Sequence, residues 1–327
     1  MIAGIAFAIS AASPTPAEFR DFHDWVSVCD NGLRCQVSST MGQARNISDH
    51  IQIRREAGPQ GRVEINLWSS DRWPDGAASL HIDGQIFRLV RADAQLRVRP
   101  EASAAAARAL ADGRNIELRI GSERSQISAR GSAAALRDMD ARRGRAGTIT
   151  AIVARGGAPA TAVPPAPALP VRTEAYRPAG GPVIRPSPEL IARWRRAEDC
   201  DAQLDPRDYP VESWPVDRRT AVILVMCYPG GHNSFVLVRV GTRPDGSDAR
   251  AATFDARVSL SERTGPSVPP DNPYRADNGR LASGERGAIA YPSTEQEWVW
   301  DGRRFRLIED SGSYGSTFRA RVRQLPR

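Results

Sequence analysis

Residues 24–35, DWVSVCDNGLRC, contain two cysteines that flank an Asp-Asn-Gly turn. The segments on either side of the turn alternate between apolar and other residues, as expected of antiparallel strands with one buried face. The stretch therefore predicts a tight hairpin closed by a disulfide. Because disulfides persist in oxidising compartments, we expect a periplasmic or secreted protein.

Residues 1–17, which precede the hairpin, resemble a secretory leader in composition. The apolar run at residues 2–12 has the length of an h-region, and small residues follow it, as signal peptidase requires. The usual positively charged start is missing, which fits either an upstream start or a trimmed leader. The alternative is an N-terminal helix that frays.

The chain has four cysteines, Cys29, Cys35, Cys200 and Cys227, which allow three pairings. A proline-rich stretch separates them two and two, so the economical pairing is Cys29–Cys35 and Cys200–Cys227. Each bridge would stabilise the fold by roughly 2–4 kcal/mol. The alternative of a zinc site lacks CxxC spacing and a histidine beside the first pair. We therefore expect no metal and no cofactor.

The proline-rich stretch, residues 157–187, predicts the division of the chain into two domains. It is rich in proline, alanine and glycine, and we expect an extended, semi-rigid spacer without helix or ladder hydrogen bonds. The predicted N-terminal domain covers residues 18–156, and the predicted C-terminal domain covers residues 188–327.

Both domains are predicted to be rich in strands, which gives an α+β, β-rich fold class. In the first, several alternating segments predict a small antiparallel barrel or sandwich, with helices at 102–111 and 132–143 and a last strand at 148–153. Its Asp83-Gly84 pair is typical of a type I′ hairpin turn. The second, smaller α+β domain is predicted to contain a helix at Pro188–Ala197 and two hairpins.

The distribution of charged residues along the chain indicates which binding partners to expect. All 45 basic residues are arginine, and the net charge of +7 is spread evenly along the chain. Without a basic block, no nucleic-acid partner is expected, and no apolar run approaches the length of a transmembrane span. The arginines are either a solvated surface that reflects coding bias, or contacts to anionic lipid or cell-wall polymers through guanidinium–phosphate pairs.

Residues typical of catalysis are few. A Cys227–His232 nucleophilic pair would need a free thiol, and Cys200 favours a disulfide instead. The chain also lacks a nucleophile elbow, a Walker A loop, an HExxH helix and a dinucleotide-binding fingerprint. We therefore expect that the protein is not an enzyme, and a hydrolase with an unrecognised site remains the alternative.

The best candidates for binding are aromatic. Trp298 and Trp300 share one strand face near Tyr291, and an exposed pair would stack on a sugar ring or a peptide. The favoured alternative is that they form core with the apolar residues of the next strand, and Trp25 has the same ambiguity. The complete set of candidate binding residues is Trp298, Trp300, Tyr291, His232, Asn233 and Trp25.

Several segments resemble the domain of unknown function 1176 family of exported bacterial proteins. The segments that carry the resemblance are DWVSVCDNGLRC at 24–35, RREAGP at 54–59, AALRDMD at 134–140, RGRAGT at 143–148, MCYPGGHN at 226–233 and WVWDGRRF at 298–305. The first half is also faintly similar to the invasion-associated locus B proteins. Family members often carry two further cysteines around the closing tryptophan hairpin, and this chain has none there. The resemblance implies an exported, two-part envelope protein without a known activity.

These observations together favour a non-catalytic cell-envelope module that binds an envelope protein or a peptidoglycan component. A second hypothesis is an inhibitor or accessory factor of a secreted hydrolase. It would use a stapled loop, residues 29–35 or 228–233, as a plug.

Overall fold

The structure, a computed structural model, describes residues 19–40, 50–69, 73–93, 95–205, 207–230, 233–255, 272–285, 294–312 and 314–326. The predicted leader lies outside these ranges. The described residues form a β-rich α+β protein, so the predicted fold class is confirmed.

The N-terminal half is built on one antiparallel sheet of ten strands that curls into a half-barrel. Its strands are β1 (Arg20–Phe22), β2 (Trp25–Cys29), β3 (Cys35–Ser39), β4 (His50–Arg55), β5 (Val63–Trp68), β6 (Ala78–Ile82), β7 (Gln85–Ala92), β8 (Gln95–Val98), β9 (Ile116–Ile120) and β10 (Glu123–Ile127). Its helices are α1 (Pro100–Asp112) and α2 (Ser132–Arg142). The spatial order of the strands is β1-β2-β3-β4-β5-β8-β7-β6-β9-β10.

Both helices of this half pack on the sheet, α1 against β5 and α2 against β2, and they contact each other. Small side chains let α1 approach closely, since Ala106 and Ala107 are fully buried. Leu136 and Met139 of α2 join the same core, as their spacing on one helix face predicts.

The turn between β6 and β7 has the predicted conformation. Asp83 has φ 45° and Gly84 has φ 85°, and two positive φ angles define a type I′ turn. The exposed Asp83 carboxylate accepts hydrogen bonds from the amides of Arg114 and Asn115, both at 2.9 Å. The turn is thereby tied to the segment that follows α1.

The prediction of a strand at residues 148–153 was wrong. This segment forms turns, with one isolated bridge between Thr148 and Ala158. The buried Asp140 carboxylate accepts hydrogen bonds from the amides of Ile152 and Val153, at 2.7 and 2.9 Å. Those amides are then not available to a neighbouring strand, although β-branched residues are common in the segment.

The described part of the C-terminal half contains one further α-helix and eleven further strands. They are β11 (Val171–Glu174), α3 (Pro188–Ala197), β12 (Glu212–Pro215), β13 (Ala221–Tyr228), β14 (Phe235–Gly241), β15 (Arg250–Ala251), β16 (Pro273–Arg275), β17 (Leu281–Glu285), β18 (Thr294–Trp300), β19 (Phe305–Gly312), β20 (Gly315–Arg319) and β21 (Arg321–Gln324). Strands β12–β15 form a four-stranded sheet and β16–β20 a five-stranded meander, both antiparallel.

Strand β13 is buried on both faces, which explains its uninterrupted apolar sequence. One face, with Val222 and Leu224, joins a core shared with the five-stranded sheet. The other face, with Ile223 and Val225, packs in the cluster that contains Trp194 of α3. Helix α3 has the predicted bounds.

Part of the predicted spacer forms a strand that pairs with the C-terminal half. Strand β11 pairs in parallel with β21, so the expectation that residues 157–187 make no ladder hydrogen bonds was wrong. The four residues of β11 include no proline, and all four therefore keep an amide that can donate. Val163 and Ile184 in the same stretch are buried. The domain limits themselves stay a prediction.

Glu174 anchors this segment, and we expect Glu174→Gln to weaken the fold by roughly 1.5–3 kcal/mol. Its buried carboxylate accepts hydrogen bonds from Arg280 at 2.9 and 3.1 Å. Burial raises the Glu174 pKa, but the bonds from Arg280 outweigh it, so the pKa is lowered in the folded state. The Glu174 contribution is therefore complete above its unfolded pKa of about 4.3 and is lost as the pH falls.

Thermal unfolding as a function of pH tests this prediction. Glu174→Gln should lower the melting temperature near neutral pH and reduce its fall in acid. Glu123→Gln, which changes an exposed strand residue in the same way, is the control. Indistinguishable pH profiles for the wild type and Glu174→Gln would contradict the assignment.

Candidate functional site

The three candidate tryptophans lie in the core. Trp298 is 1% exposed and Trp300 is 3% exposed, and Trp25 is fully buried. Each indole N–H donates inside the protein: Trp25 to Ser128 O at 2.8 Å, Trp298 to Ser283 Oγ at 3.4 Å, and Trp300 to Asp217 Oδ2 at 2.7 Å. Stacking on a ligand needs an exposed ring face, so these residues form core instead of a platform.

The other candidates divide between described and undescribed segments. Asn233 accepts a hydrogen bond from Asn272 Nδ2 at 2.9 Å, which links the end of the 228–233 loop to the residue before β16. Tyr291 and His232 lie outside the described residues.

Both predicted disulfides are present, Cys29–Cys35 and Cys200–Cys227. Cys29 and Cys35 face each other across β2 and β3, with their Cα atoms 4.0 Å apart. Beyond the bridge, Asp30 Oδ1 accepts from the amides of Gly32 and Arg34, at 2.8 and 2.9 Å, and these bonds fix the turn.

The turn of this stapled hairpin docks on β20, one of the two edge strands of the five-stranded sheet. Asn31 bonds the Arg319 backbone twice, donating to its oxygen at 2.9 Å and accepting from its amide at 2.8 Å. The Arg319 guanidinium donates to the fully buried Asp30 carboxylate, and Arg34 donates to Ser316 Oγ. The hairpin therefore covers a strand edge that would otherwise be open to pairing.

An open pocket of about 630 Å³ lies on the C-terminal half, and we call it the arginine pocket. Its lining residues are Arg250, Thr253, Phe254, Asp301, Arg303 and Arg304. They come from β15, the segment after it, and the turn between β18 and β19. Asp301 Oδ1 accepts from the amides of Arg303 and Arg304, both at 2.9 Å, which fixes that turn.

The pocket has an aromatic base that connects it to the tryptophan pair. Phe254 stacks on Phe305 with ring centroids 5.3 Å apart, and meets Trp298 edge-on at 5.2 Å. The Phe305 amide donates to Thr253 O at 2.8 Å. The predicted aromatic residues thus support the pocket from within the core.

The charge around the pocket is mainly positive. Asp255 Oδ2 accepts from Arg306 Nε at 2.9 Å and lies 3.6 Å from Arg172, and Asp255 Oδ1 lies 3.8 Å from Arg304. Together with Arg250 and Arg303, five guanidinium groups face the two carboxylates of Asp255 and Asp301, a formal charge of +3. In the sequence, the run DGRRFR at residues 301–306 is the signal that could have indicated this positively charged pocket.

The pKa values of two arginines show how strongly the carboxylates of Asp255 and Asp301 stabilise each guanidinium charge. Burial lowers the pKa of Arg172, and the nearby Asp255 offsets only part of that effect. Burial also lowers the pKa of Arg306, but its bonds to Asp255 and Asp301 outweigh this, so the Arg306 pKa is raised. Arg306 is thus firmly paired, whereas Arg250, Arg303 and Arg304 are exposed at the pocket.

Metal-ligand clusters and membrane-spanning helices are both absent from the described residues. Across them, His, Cys, Asp and Glu side chains do not gather in groups of three that could hold a metal ion. In the same ranges, each helix falls short of the length and apolar character that crossing a bilayer requires.

Comparison with known proteins bears on the predicted family. The chain is 26% identical over 320 residues to "Uncharacterized protein YpfG" of Escherichia coli (strain K12), covering 90% of this chain and 87% of that one. A crystal structure of invasion associated protein b from Bartonella henselae is weakly similar, with a TM-score of 0.30 and 16% identity, covering 39% of this chain and 99% of that one. The model of the family described as "Protein of unknown function (DUF1176)" matches residues 19–314. The chain therefore belongs to the DUF1176 family.

Proposed function

We propose that this protein is an exported, non-catalytic module that binds an anionic component of the cell envelope in the arginine pocket. The observation that carries the proposal is the pocket itself: an open depression lined by three arginines and one aspartate, a formal charge of +2, above an aromatic base. With Arg172, Arg306 and Asp255 beside it, the formal charge of the region is +3. The two disulfides support export to the periplasm or the exterior, because such bonds persist in oxidising compartments.

Peptidoglycan stem peptides suit this pocket because they are short and carry several carboxylates. Planar guanidinium groups recognise carboxylates through paired hydrogen bonds. Arg303 and Arg304 lie in a turn whose backbone is held by Asp301, so the backbone needs little ordering on binding.

Titration calorimetry with soluble muropeptides tests the proposal. The double variant Arg303→Gln/Arg304→Gln should weaken binding at least about tenfold, because hydrogen bonds to charged groups contribute about 1.5–3 kcal/mol each. Binding by the wild type should also weaken with added salt. The muropeptides should be recovered with unchanged mass, as expected for a module without catalytic activity.

The matched control is Arg193→Gln/Arg196→Gln, which removes the same charge from exposed positions on α3 outside the pocket lining. It should bind like the wild type. If the wild type does not bind muropeptides, or both double variants lose affinity equally, the proposal is wrong. Mass changes in the recovered muropeptides would indicate a hydrolase instead.

A further inference from the structure

A second group of arginines has buried side chains and lies in the N-terminal half. Arg145 is fully buried, Arg143 is 3% exposed and Arg55 is 6% exposed, and all three surround the fully buried Asp140. We call these four residues the buried arginine cluster. It combines residues from β4, from α2 and from the turn after α2.

Two of the three guanidinium groups have partners within the protein. Arg145 donates to Thr150 Oγ1 at 2.8 Å and to Gly58 O, and Arg55 donates to Gly61 O at 3.1 Å. By contrast, none of the three Arg143 side-chain nitrogens has a hydrogen-bond partner among the described residues. Arg143 is therefore a buried, unpaired donor group.

Charge within the cluster is also unbalanced. Three guanidinium groups face the single carboxylate of Asp140, a formal charge of +2. That carboxylate already accepts two backbone amides through Oδ2, and its Oδ1 lies 3.7 Å from Arg55. The nearby Glu56 is 60% exposed at its side chain and lies 3.8 Å from Arg319. An unpaired charge in such surroundings is strongly destabilising.

The pKa values report the same imbalance. Burial lowers the Arg143 pKa to about 9, the charges of Arg145 and Arg55 lower it further, and the carboxylates of Glu56 and Asp140 offset only part of this effect. Burial, with the charge of Arg145, also lowers the Arg55 pKa to about 10. Neighbouring positive charges thus disfavour the charged forms of Arg143 and Arg55, and an anion beside them would relieve that repulsion.

The loop beside Arg143 packs too closely against its surroundings for a side chain at Gly61. A Cβ atom at Gly61 would lie 3.0 Å from Arg143 Nη2 and 1.8 Å from Glu56 O. Gly58 in the same loop has φ 80°, a conformation that suits glycine. The two glycines thus bring bare backbone against the guanidinium groups.

We propose that the buried arginine cluster binds a doubly charged oxyanion of the phosphate or sulfate class against Arg143. A dianion would balance the +2 charge of the cluster, which a single carboxylate group would not. Its tetrahedral oxygens would accept from the planar guanidinium of Arg143, which pairs with such anions through two parallel bonds. This site is separate from the arginine pocket, and each proposal can fail without the other.

Thermal unfolding with increasing phosphate or sulfate, at constant ionic strength set by sodium chloride, tests the site. The melting temperature of the wild type should rise with the logarithm of the anion concentration, as expected for a ligand that binds the folded state. Arg143→Met should abolish the rise. Arg137→Met, which removes an exposed arginine from α2, should retain it.

Without phosphate or sulfate, Arg143→Met should be at least as stable as the wild type, because it removes an unpaired buried charge. Equal rises in all three proteins would indicate the general effect of these salts on folding and would overturn the proposal. Absence of any rise would overturn it too. If Arg143→Met does not fold, wild-type crystals soaked in selenate decide: an anomalous peak within hydrogen-bond distance of Arg143 supports the site, and none contradicts it.

Discussion

Asp30→Asn is expected to destabilise the protein by roughly 3–5 kcal/mol, the cost of removing one partner from a buried ion pair. Asparagine keeps the shape of the side chain and an oxygen that can accept from the amides of Gly32 and Arg34. The hairpin turn should therefore survive. What is lost is the charge that pairs with Arg319 and, within the hairpin, with Arg34 at 3.5 Å. The substitution therefore acts mainly on the contact between the two halves of the chain, where the Arg319 guanidinium donates directly to the carboxylate.

Urea denaturation followed by tryptophan fluorescence measures this loss. Hydrogen exchange should show where it occurs, because the Arg319 amide, which donates to Asn31 Oδ1 at 2.8 Å, should exchange faster in the variant. Asp83→Asn is the matched control: its carboxylate also accepts two backbone amides at a hairpin turn, but it is exposed. Equal effects of the two substitutions would show that the contact with Arg319 contributes nothing.

Removal of the Cys200–Cys227 bridge should cost about 3.5 kcal/mol, against about 2 kcal/mol for Cys29–Cys35, by the dependence of disulfide stabilisation on loop length. The two bridges close segments with sequence separations of 27 and 6 residues. The longer loop is more restricted by its bridge in the unfolded chain. In the folded state, the Cys200–Cys227 bridge also connects the segment after α3 to β13.

The double variants Cys200→Ser/Cys227→Ser and Cys29→Ser/Cys35→Ser test this ranking by urea denaturation under oxidising conditions. Each serves as the control of the other, since both remove one disulfide and leave two hydroxyls. A reversed order would mean that contacts in the folded state, and not loop closure, set the contribution of each bridge. Wild-type protein with a reducing agent should show the summed loss.

The docking contact gives a structural reason for the DWVSVCDNGLRC signature. The disulfide holds the strands in register, Asp30 fixes the turn, and Asn31 and Asp30 then bind Arg319. The turn residues of this loop therefore bind another part of the same chain. Among the two loops considered as plugs for a hydrolase, residues 29–35 are thus already engaged.

Two other segments that carry the family resemblance meet in space. Gly58 from RREAGP accepts a hydrogen bond from Arg145 of RGRAGT, although the two lie 87 residues apart in sequence. Arg55 and Asp140 bring a third segment, AALRDMD, to the same place. The three motifs are separate in the sequence, and only the folded chain brings them together around the buried arginine cluster.

Local features of this protein were determined by the sequence alone. The stapled hairpin, the Asp83-Gly84 turn and the bounds of α3 depend on neighbours within a few residues, through turn geometry, capping and apolar spacing. Both cysteine pairings followed from one division of the chain. The alternation of Trp298 and Trp300 with their neighbours correctly placed them on one strand face.

Only the tertiary structure decided which faces meet. Periodicity states that Trp298 and Trp300 share a face, but the four-stranded sheet and Phe254 are what cover them. The β11–β21 pairing, the arginine pocket and the buried arginine cluster likewise join residues far apart in the chain. Contacts of this kind depend on how whole elements pack, and that information is not contained in the spacing of residues within any one element.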